Sequence, residues 1–211
     1  MKKLVIFDLD GTLLDTLKDI AHNVSNALNK VNLESVSESE VRDFVCDGLY
    51  YMVENVCKDK TLIPLVVKYY SEQSVENAYR YVKPFKDIIA LLEQLKMQGV
   101  KMAMLTNKRE WQARMLYEDF FARFEFEAVY GNNNDRPLKP NPKGLNDLLR
   151  ELKIEKSDAI LVGDGDTDAL TAKNGGIDFV GVTWGYCDKS RIEKAGAINF
   201  IDKPIELLKF L

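Results

Sequence analysis

Residues 4–15 of this chain of 211 residues read Leu4-Val5-Ile6-Phe7-Asp8-Leu9-Asp10-Gly11-Thr12-Leu13-Leu14-Asp15. The four apolar residues at the start of this stretch predict a strand that is buried on both faces, which is typical of a parallel sheet. Aspartates often form turns after strands. Here, however, Asp8 and Asp10 directly end a buried strand, where their desolvation requires a compensating cation. Since ligands bind at the carboxyl ends of strands in open parallel sheets, the stretch predicts an anionic site at this end.

The rest of the chain continues as strands that alternate with helices. Short runs of branched apolar residues, each ended by a polar or glycine-rich turn, predict strands at 100–105, 127–130, 159–162 and 179–182. Helical patterns at 88–97, 110–117, 144–152 and 168–174 lie between or beside them. This alternation predicts an α/β fold with a Rossmann-like core of parallel strands.

Residues 16–82 interrupt the alternation, because they show one helical pattern after another and no convincing strand. One helical face is formed by apolar residues at spacings of three and four: Leu17, Ile20, Ala21, Val24, Leu28 and Val31. A second helix is predicted over 65–82, and Pro84 marks the return to the core. We therefore expect a small inserted α-helical cap at 16–82 and a core made of 1–15 and 83–211.

Three further polar sets follow predicted strands or a turn. The strand at 100–105 is followed by Thr106 and Asn107, a hydroxyl and an amide that can bind phosphoryl oxygens, although such a threonine is more often a helix cap. Lys139 lies between Leu138 and two prolines, and a lone lysine is usually a solvated surface residue. The strand at 159–162 is followed by Gly163-Asp164-Gly165-Asp166-Thr167-Asp168. This places Asp164 at the strand tip and Asp168 one helical turn further on.

In this order, the sets resemble the signature of the haloacid dehalogenase-like hydrolase superfamily: DxDGTLxD, then threonine or serine, then lysine, then GDxxxD. The matching residues are Asp8 to Asp15, Thr106, Lys139 and Gly163 to Asp168. The helical insertion resembles the small α-helical cap of that family. Gly181-Val182-Thr183-Trp184-Gly185-Tyr186 is similar to a loop of phosphoglycolate phosphatase-like members. The likeness spans the core, whereas the cap matches only in helical character and position.

The resemblance implies a phosphoric monoester hydrolase that acts on a small phosphorylated metabolite. Asp8 would attack phosphorus and form a phosphoaspartate, while Asp10 would protonate the leaving oxygen and then activate water. Lys139 would neutralise the nucleophile and the phosphoryl group. Thr106 and Asn107 would bind the substrate together with Lys139.

The same resemblance implies a Mg²⁺ cofactor. Asp8, Asp10, Asp164 and Asp168 would crowd about four negative charges beside a phosphate dianion, which is strongly repulsive without a cation. The implied ligands are the Asp8 side chain, the Asp10 backbone carbonyl and the Asp164 side chain, with Asp168 acting directly or through water.

Substrate specificity is expected to lie in the cap, and alternatives stay open. Gly48 falls where capped relatives have a specificity loop, but it is equally well explained as a helix terminus. Phosphoglycolate is the favoured substrate. The alternatives are a pyrophosphatase and a phosphomutase of the β-phosphoglucomutase type, which Thr12 disfavours. A different class, a receiver-like module that accepts phosphate to signal, is disfavoured by the chain length, the insertion and the second aspartate.

The composition predicts no other partner class. A formal net charge of −4 gives no general attraction to nucleic acid or to an anionic membrane. A single histidine argues against serine-histidine catalysis and against a zinc site with several histidines. Asp8 and Asp10 interrupt the first apolar run too early for a secretion signal, and we therefore expect a cytoplasmic protein.

Overall fold

The computed structural model describes residues 2–46, 48–76, 79–133 and 135–211, without the side chains of 73–76. The strands of these residues are β1 (Leu4–Phe7), β2 (Leu14–Asp15), β3 (Lys83–Pro84), β4 (Lys101–Arg109), β5 (Ala128–Asn132), β6 (Ala159–Gly163), β7 (Asp178–Val182) and β8 (Phe200–Ile201). The α-helices are α1 (Leu17–Asn29), α2 (Glu38–Val45), α3 (Leu49–Val56), α4 (Ile63–Glu76), α5 (Ile88–Met97), α6 (Glu110–Phe120), α7 (Lys143–Leu152), α8 (Asp166–Gly175) and α9 (Lys189–Lys194).

The central sheet has the strand order β5-β4-β1-β6-β7-β8, and all of its strand pairs are parallel. All four residues of β1 are buried, as expected for a central strand that is covered on both faces. Leu4 and Ile6 belong to a core cluster that includes Leu145, Leu148 and Leu149 of α7. The predicted α/β class with a Rossmann-like parallel sheet is confirmed.

Strand β4 is longer than the sequence predicts. It continues past Leu105 to Arg109, with a shift in its pairing to β5 between these two residues. The sequence predicts a polar turn after Leu105, because strand patterns are recognised by their apolar residues. Here the backbone pairing continues, although Thr106 is the last buried residue of the strand.

The chain divides into two compact units, one of Met1–Leu14 with Pro84–Leu211 and one of Asp15–Lys83. The core unit contains the central sheet, and the smaller unit contains helices α1 to α4. These limits differ by one residue from the sequence-based division at 16–82.

Helix α4 corrects the helix predicted over 65–82, since it ends at Glu76. Tyr79 has a positive φ of 78°, a left-handed conformation that a helix does not continue through. The backbone N–H groups of Arg80 and Tyr81 then donate to the carboxylate of Asp19, at 3.0 and 2.9 Å. The Asp19 carboxylate of α1 thus accepts hydrogen bonds from N–H groups that would bond within the helix if α4 were longer.

Among the described residues, every helix is too short or too polar to cross a lipid bilayer.

Candidate active site

The candidate site lies at the carboxyl edge of the central sheet, between β1 and β6. On one side of the site, the next strand of this sheet after β1 in the chain is β4. On the other side, the next strand after β6 is β7. In open α/β sheets such a switch in direction opens a crevice in which ligands bind. Asp8 follows β1 directly, and Asp164 follows β6 directly. The Asp8 N–H donates to the carbonyl of Val162 at 2.9 Å, which fixes the start of the loop.

Lys139 lies between two carboxylates of this site. Its Nζ donates to Oδ1 of Asp168 at 2.6 Å and lies 2.8 Å from Oδ1 of Asp8. All three residues are buried, with Lys139 only 6% exposed. A lysine that would ordinarily be solvated is therefore part of a buried charge cluster, as the motif order predicts.

Asp164 is held from two distant parts of the core unit. Its Oδ1 accepts from the Thr12 hydroxyl at 3.2 Å, and its Oδ2 accepts from the Tyr186 N–H at 2.8 Å. Gly11 makes this approach sterically feasible, because a Cβ at this position would lie 2.2 Å from Asp164 Oδ2. Its φ of +79° also favours glycine. Gly11 of the first motif thus leaves the space that Asp164 of the last motif occupies.

Burial, together with the neighbouring charges of Asp8 and Asp168, raises the pKa of Asp164 to about 7, against the opposing effect of the hydrogen bonds from Tyr186 and Thr12. Burial also raises the pKa of Asp168, against the opposing effect of Lys139. Burial alone would lower the pKa of Lys139, but the charges of Asp168 and Asp8 outweigh it and hold that pKa above its usual value. Lys139 is therefore positively charged at neutral pH. Its single charge is not enough to neutralise the three buried carboxylates around it.

The donor set of this cluster fits a hard divalent cation. Carboxylate oxygens of Asp8, Asp164 and Asp168 lie within 4.8 Å of one another, and all three residues are buried. The buried Oδ1 of Asp8 has the Lys139 ammonium 2.8 Å away and no other hydrogen-bond partner among the described residues. A buried carboxylate oxygen with a single partner that faces two further carboxylates is suited to Mg²⁺, which prefers oxygen ligands.

Asp10 pairs with a residue that the sequence analysis missed. The Nζ of Lys108 donates to both carboxylate oxygens of Asp10, at 2.9 and 3.0 Å. The two side chains are only 12% and 23% exposed, so water screens this ion pair weakly. The one available signal was the position of Lys108, two residues after Thr106, at the same sheet edge.

Thr106 and Asn107 lie at the end of β4 beside the cluster. Thr106 is buried, and its hydroxyl accepts from the Lys108 N–H at 3.2 Å. The side-chain amide of Asn107 forms hydrogen bonds with the backbone of Lys139. The structure thus brings the predicted core residues together at one edge, and their substrate contacts stay a prediction.

Gly48, the predicted specificity residue, precedes α3 in the smaller unit. It is exposed and has a positive φ of 90°, a conformation that favours glycine at a helix start. This geometry agrees with the alternative explanation, a helix terminus. A role in substrate binding stays a prediction.

The loop after β7 supports both the first and the last motif. The indole N–H of Trp184 donates to the Thr12 carbonyl at 3.1 Å, while the Tyr186 backbone holds Asp164. Between them, a Cβ on Gly185 would lie 2.2 Å from the Cβ of Asp164. The segment Trp184-Gly185-Tyr186 therefore packs directly behind the candidate metal ligand.

Comparisons with known proteins agree with this site. The family described as haloacid dehalogenase-like hydrolase matches residues 5–182. A phosphoglycolate phosphatase of Aquifex aeolicus is 32% identical, with 87% of this chain and 86% of the relative covered. A protein of Caldanaerobacter subterraneus, provisionally named a pyrophosphatase, is 30% identical, with 98% and 93% covered.

A solved structure gives the same result for the fold. A predicted phosphoglycolate phosphatase of Haemophilus somnus has a TM-score of 0.88 at 26% identity, with 99% of this chain and 97% of that chain covered. The names of the relatives agree with the expected class of enzyme, a phosphoric monoester hydrolase. The extent of the family match, together with the buried cluster of Asp8, Lys139, Asp164 and Asp168, shows that the chain belongs to the haloacid dehalogenase-like hydrolases.

Proposed function

We propose that this protein is a Mg²⁺-dependent phosphatase that hydrolyses a small phosphomonoester through a phosphoaspartate at Asp8. The observation that carries the proposal is the position of Lys139 between Asp8 and Asp168, beside an Asp8 oxygen that has no partner other than Lys139 among the described residues. A carboxylate that is buried, neutralised and left partly unbonded has a free lone pair with which to attack phosphorus.

The reaction divides into two displacements. An Asp8 oxygen attacks phosphorus, the bond to the leaving oxygen breaks, and Asp10 donates a proton to that oxygen. Asp10 then takes a proton from a water molecule, which attacks the phosphoaspartate and releases phosphate. Lys139 stays protonated throughout and stabilises the charge on the phosphoryl oxygens, with Thr106 as a further donor.

The residues that would hold Mg²⁺ are the side chains of Asp8, Asp164 and Asp168 and the backbone carbonyl of Asp10. When bound, the ion would supply positive charge that lets the carboxylates and a phosphate dianion share one site. The raised pKa values of Asp164 and Asp168 support this assignment, because both indicate a cluster with an excess of negative charge.

Phosphoglycolate is the favoured substrate, since several relatives are named phosphoglycolate phosphatase. Pyrophosphate is the second candidate, because the relative from Caldanaerobacter subterraneus is provisionally named a pyrophosphatase. A phosphomutase remains the third, and the smaller unit, including Gly48, is the proposed source of specificity.

Turnover measurements with and without Mg²⁺ test this proposal, using phosphoglycolate, pyrophosphate, a sugar phosphate and a nucleoside monophosphate. We expect Asp8→Asn to abolish turnover of the preferred substrate. Asp158→Asn is the matched control, because Asp158 forms an exposed ion pair with Lys3 and lies outside the cluster. Mass spectrometry of the wild-type protein should show one added phosphoryl group during turnover, and none in Asp8→Asn.

Two results would contradict the proposal. Full activity of Asp8→Asn would remove Asp8 as the nucleophile. Stable phosphorylation of the wild-type protein without turnover of any substrate would instead indicate a receiver-like module.

A further inference from the structure

The side-chain amide of Asn107 forms a pair of hydrogen bonds with the backbone of Lys139. Asn107 Oδ1 accepts from the Lys139 N–H at 2.7 Å, and Asn107 Nδ2 donates to the Lys139 carbonyl at 3.1 Å. The amide thus satisfies both backbone groups of one residue, as a neighbouring strand would. Both ends of the Asn107 side chain are engaged with the lysine that lies between Asp8 and Asp168.

The segment that carries Lys139 is short of other backbone donors. Pro137 and Pro140 have no N–H group, and the Asn141 N–H donates within the segment to Leu138 at 2.9 Å. The segment also lines a small pocket together with Asn107. Hydrogen bonds from neighbouring elements therefore help to hold it in place: Asn107 bonds to the Lys139 backbone, and Asn174 Nδ2 donates to the Pro140 carbonyl at 3.1 Å.

The function of Lys139 depends on its position. Its Nζ lies 2.6 Å from Asp168 and 2.8 Å from Asp8, and the buried surroundings offer no bulk water as a substitute partner. A shift of the lysine backbone would move Nζ away from Asp8 and leave charges buried and unpaired. Since a displacement of about 1 Å can reduce turnover by about a hundredfold, control of this backbone has a large effect.

We propose that Asn107 is a positioning residue that fixes the Lys139 backbone, rather than the substrate ligand that the sequence suggests. The proposal rests on the proposed function only in that Lys139 is taken to act on the phosphoryl group. The hydrogen-bonded clamp itself is testable without any substrate.

The first test is amide hydrogen exchange of Lys139, followed by NMR in the absence of substrate. We expect the Lys139 N–H to be protected in the wild-type protein and to exchange at least about tenfold faster in Asn107→Ala. Asn141→Ala is the matched control: among the described residues, its Oδ1 accepts a hydrogen bond from the Lys143 N–H alone. In that variant the exchange of Lys139 should stay as in the wild type.

The second test separates positioning from substrate contact. In Asn107→Ala, we expect kcat to fall by about tenfold to a hundredfold, with a much smaller change in KM. The affinity for inorganic phosphate with Mg²⁺, measured by calorimetry, should fall in Asn107→Ala. It should be the same in Lys139→Met with and without Asn107→Ala, because Asn107 acts through Lys139.

Each outcome decides the proposal. Unchanged exchange of the Lys139 N–H in Asn107→Ala overturns the clamp, and additive losses of phosphate affinity in the double variant indicate a direct substrate contact instead. A wild-type protein without turnover refutes the proposed function, while the exchange and phosphate measurements still decide the role of Asn107. If Asn107→Ala does not fold, Asn107→Ser is measured against the same criteria, since serine is too short to bridge both backbone groups.

Discussion

The ionised carboxylates of Asp164 and Asp168 are less stable in the folded protein than in water, because both are buried beside a third carboxylate. Their raised pKa values are the direct sign of this unfavourable environment. Carboxyls with pKa values shifted by burial and like charges cluster at functional sites, where they cost stability. At the scale of single residues, removing one of these charges is therefore expected to increase the stability of the protein and to weaken ligand binding.

We expect Asp164→Asn to raise the melting temperature of the metal-free protein, because one unit of buried negative charge is removed while the size of the side chain is kept. The same change should abolish the increase in melting temperature caused by Mg²⁺. Calorimetry in EDTA and in Mg²⁺ measures both effects. A variant that is less stable in EDTA but still stabilised by Mg²⁺ would show that Asp164 is structural and not a metal ligand.

We expect Lys108 to orient the carboxylate of Asp10. In Lys108→Met, the Asp10 carboxylate loses both of its hydrogen bonds to Nζ and its fixed orientation, and we expect kcat to fall by about tenfold or more. Lys101→Met is the matched control, since Lys101 lies on the same strand with an exposed ion pair to Glu127. Steady-state kinetics of the two variants should differ clearly. Equal activities would show that Lys108 does not orient Asp10.

The sequence allowed the carboxylates to be grouped because the ends of parallel strands meet at one edge, whereas Lys139 was added only through the order of the family motifs. It did not reveal Lys108, since a lysine in a polar run resembles a surface residue. Its pairing with Asp10 also joins positions 98 residues apart. Asn107 was recognised as part of the site, but hydrogen bonding to the backbone of Lys139 leaves no pattern in the sequence.

At the scale of elements, the loop Trp184-Gly185-Tyr186 connects the turn after β1 with the turn after β6. Its contact between Trp184 and Thr12 and its hydrogen bond to Asp164 join segments that belong to opposite ends of the chain. This loop was noticed in the sequence only by its family likeness, because hydrogen bonds at such separation have no local signature.

Gly185→Ala should displace Asp164, because the added methyl group would lie 2.2 Å from the Cβ of Asp164. We expect a loss of Mg²⁺ affinity of about tenfold or more, measured by calorimetric titration. Gly99→Ala provides the comparison: it strains a positive φ of 69°, but nothing lies within 4 Å of the added atom. That variant should lose about 1 kcal/mol of stability and keep its Mg²⁺ affinity. Equal Mg²⁺ affinities in the two variants would contradict the supporting role of the loop.

The elements themselves were predicted well where apolar periodicity was strong, as in α5, whose limits at residues 88–97 agree with the structure. Prediction failed at ends that are set by tertiary contacts. Helix α4 stops before Tyr79, where Asp19 takes the next backbone N–H groups, and β4 continues as a polar strand beyond Leu105.

At the scale of the whole molecule, the buried carboxyls couple stability to pH. The folded-state pKa of Asp164 is about 7, above the usual 3.8, and that of Asp168 is also raised. The metal-free folded protein therefore binds more protons than the unfolded chain between these values. The stabilisation from these groups is complete below about pH 4 and is lost as the pH rises through about 7.

We expect Mg²⁺ to raise the melting temperature more at pH 8 than at pH 6, because the ion competes with protons for the same oxygens. In EDTA, the contribution of the two carboxyls should make the protein less stable at pH 8 than at pH 6. Scanning calorimetry at both pH values, with EDTA or with Mg²⁺, measures the difference. An equal effect of Mg²⁺ at both pH values would contradict the coupling.

The position of β1 has a consequence for synthesis on the ribosome. This strand is made before the other strands of the sheet, yet it pairs with residues 101–104 on one side and 159–162 on the other. At about 5–20 residues per second, its second edge waits roughly ten to thirty seconds for a partner after leaving the tunnel. Nascent chains that end before β6 should consequently expose an apolar strand edge and depend on chaperones to avoid aggregation.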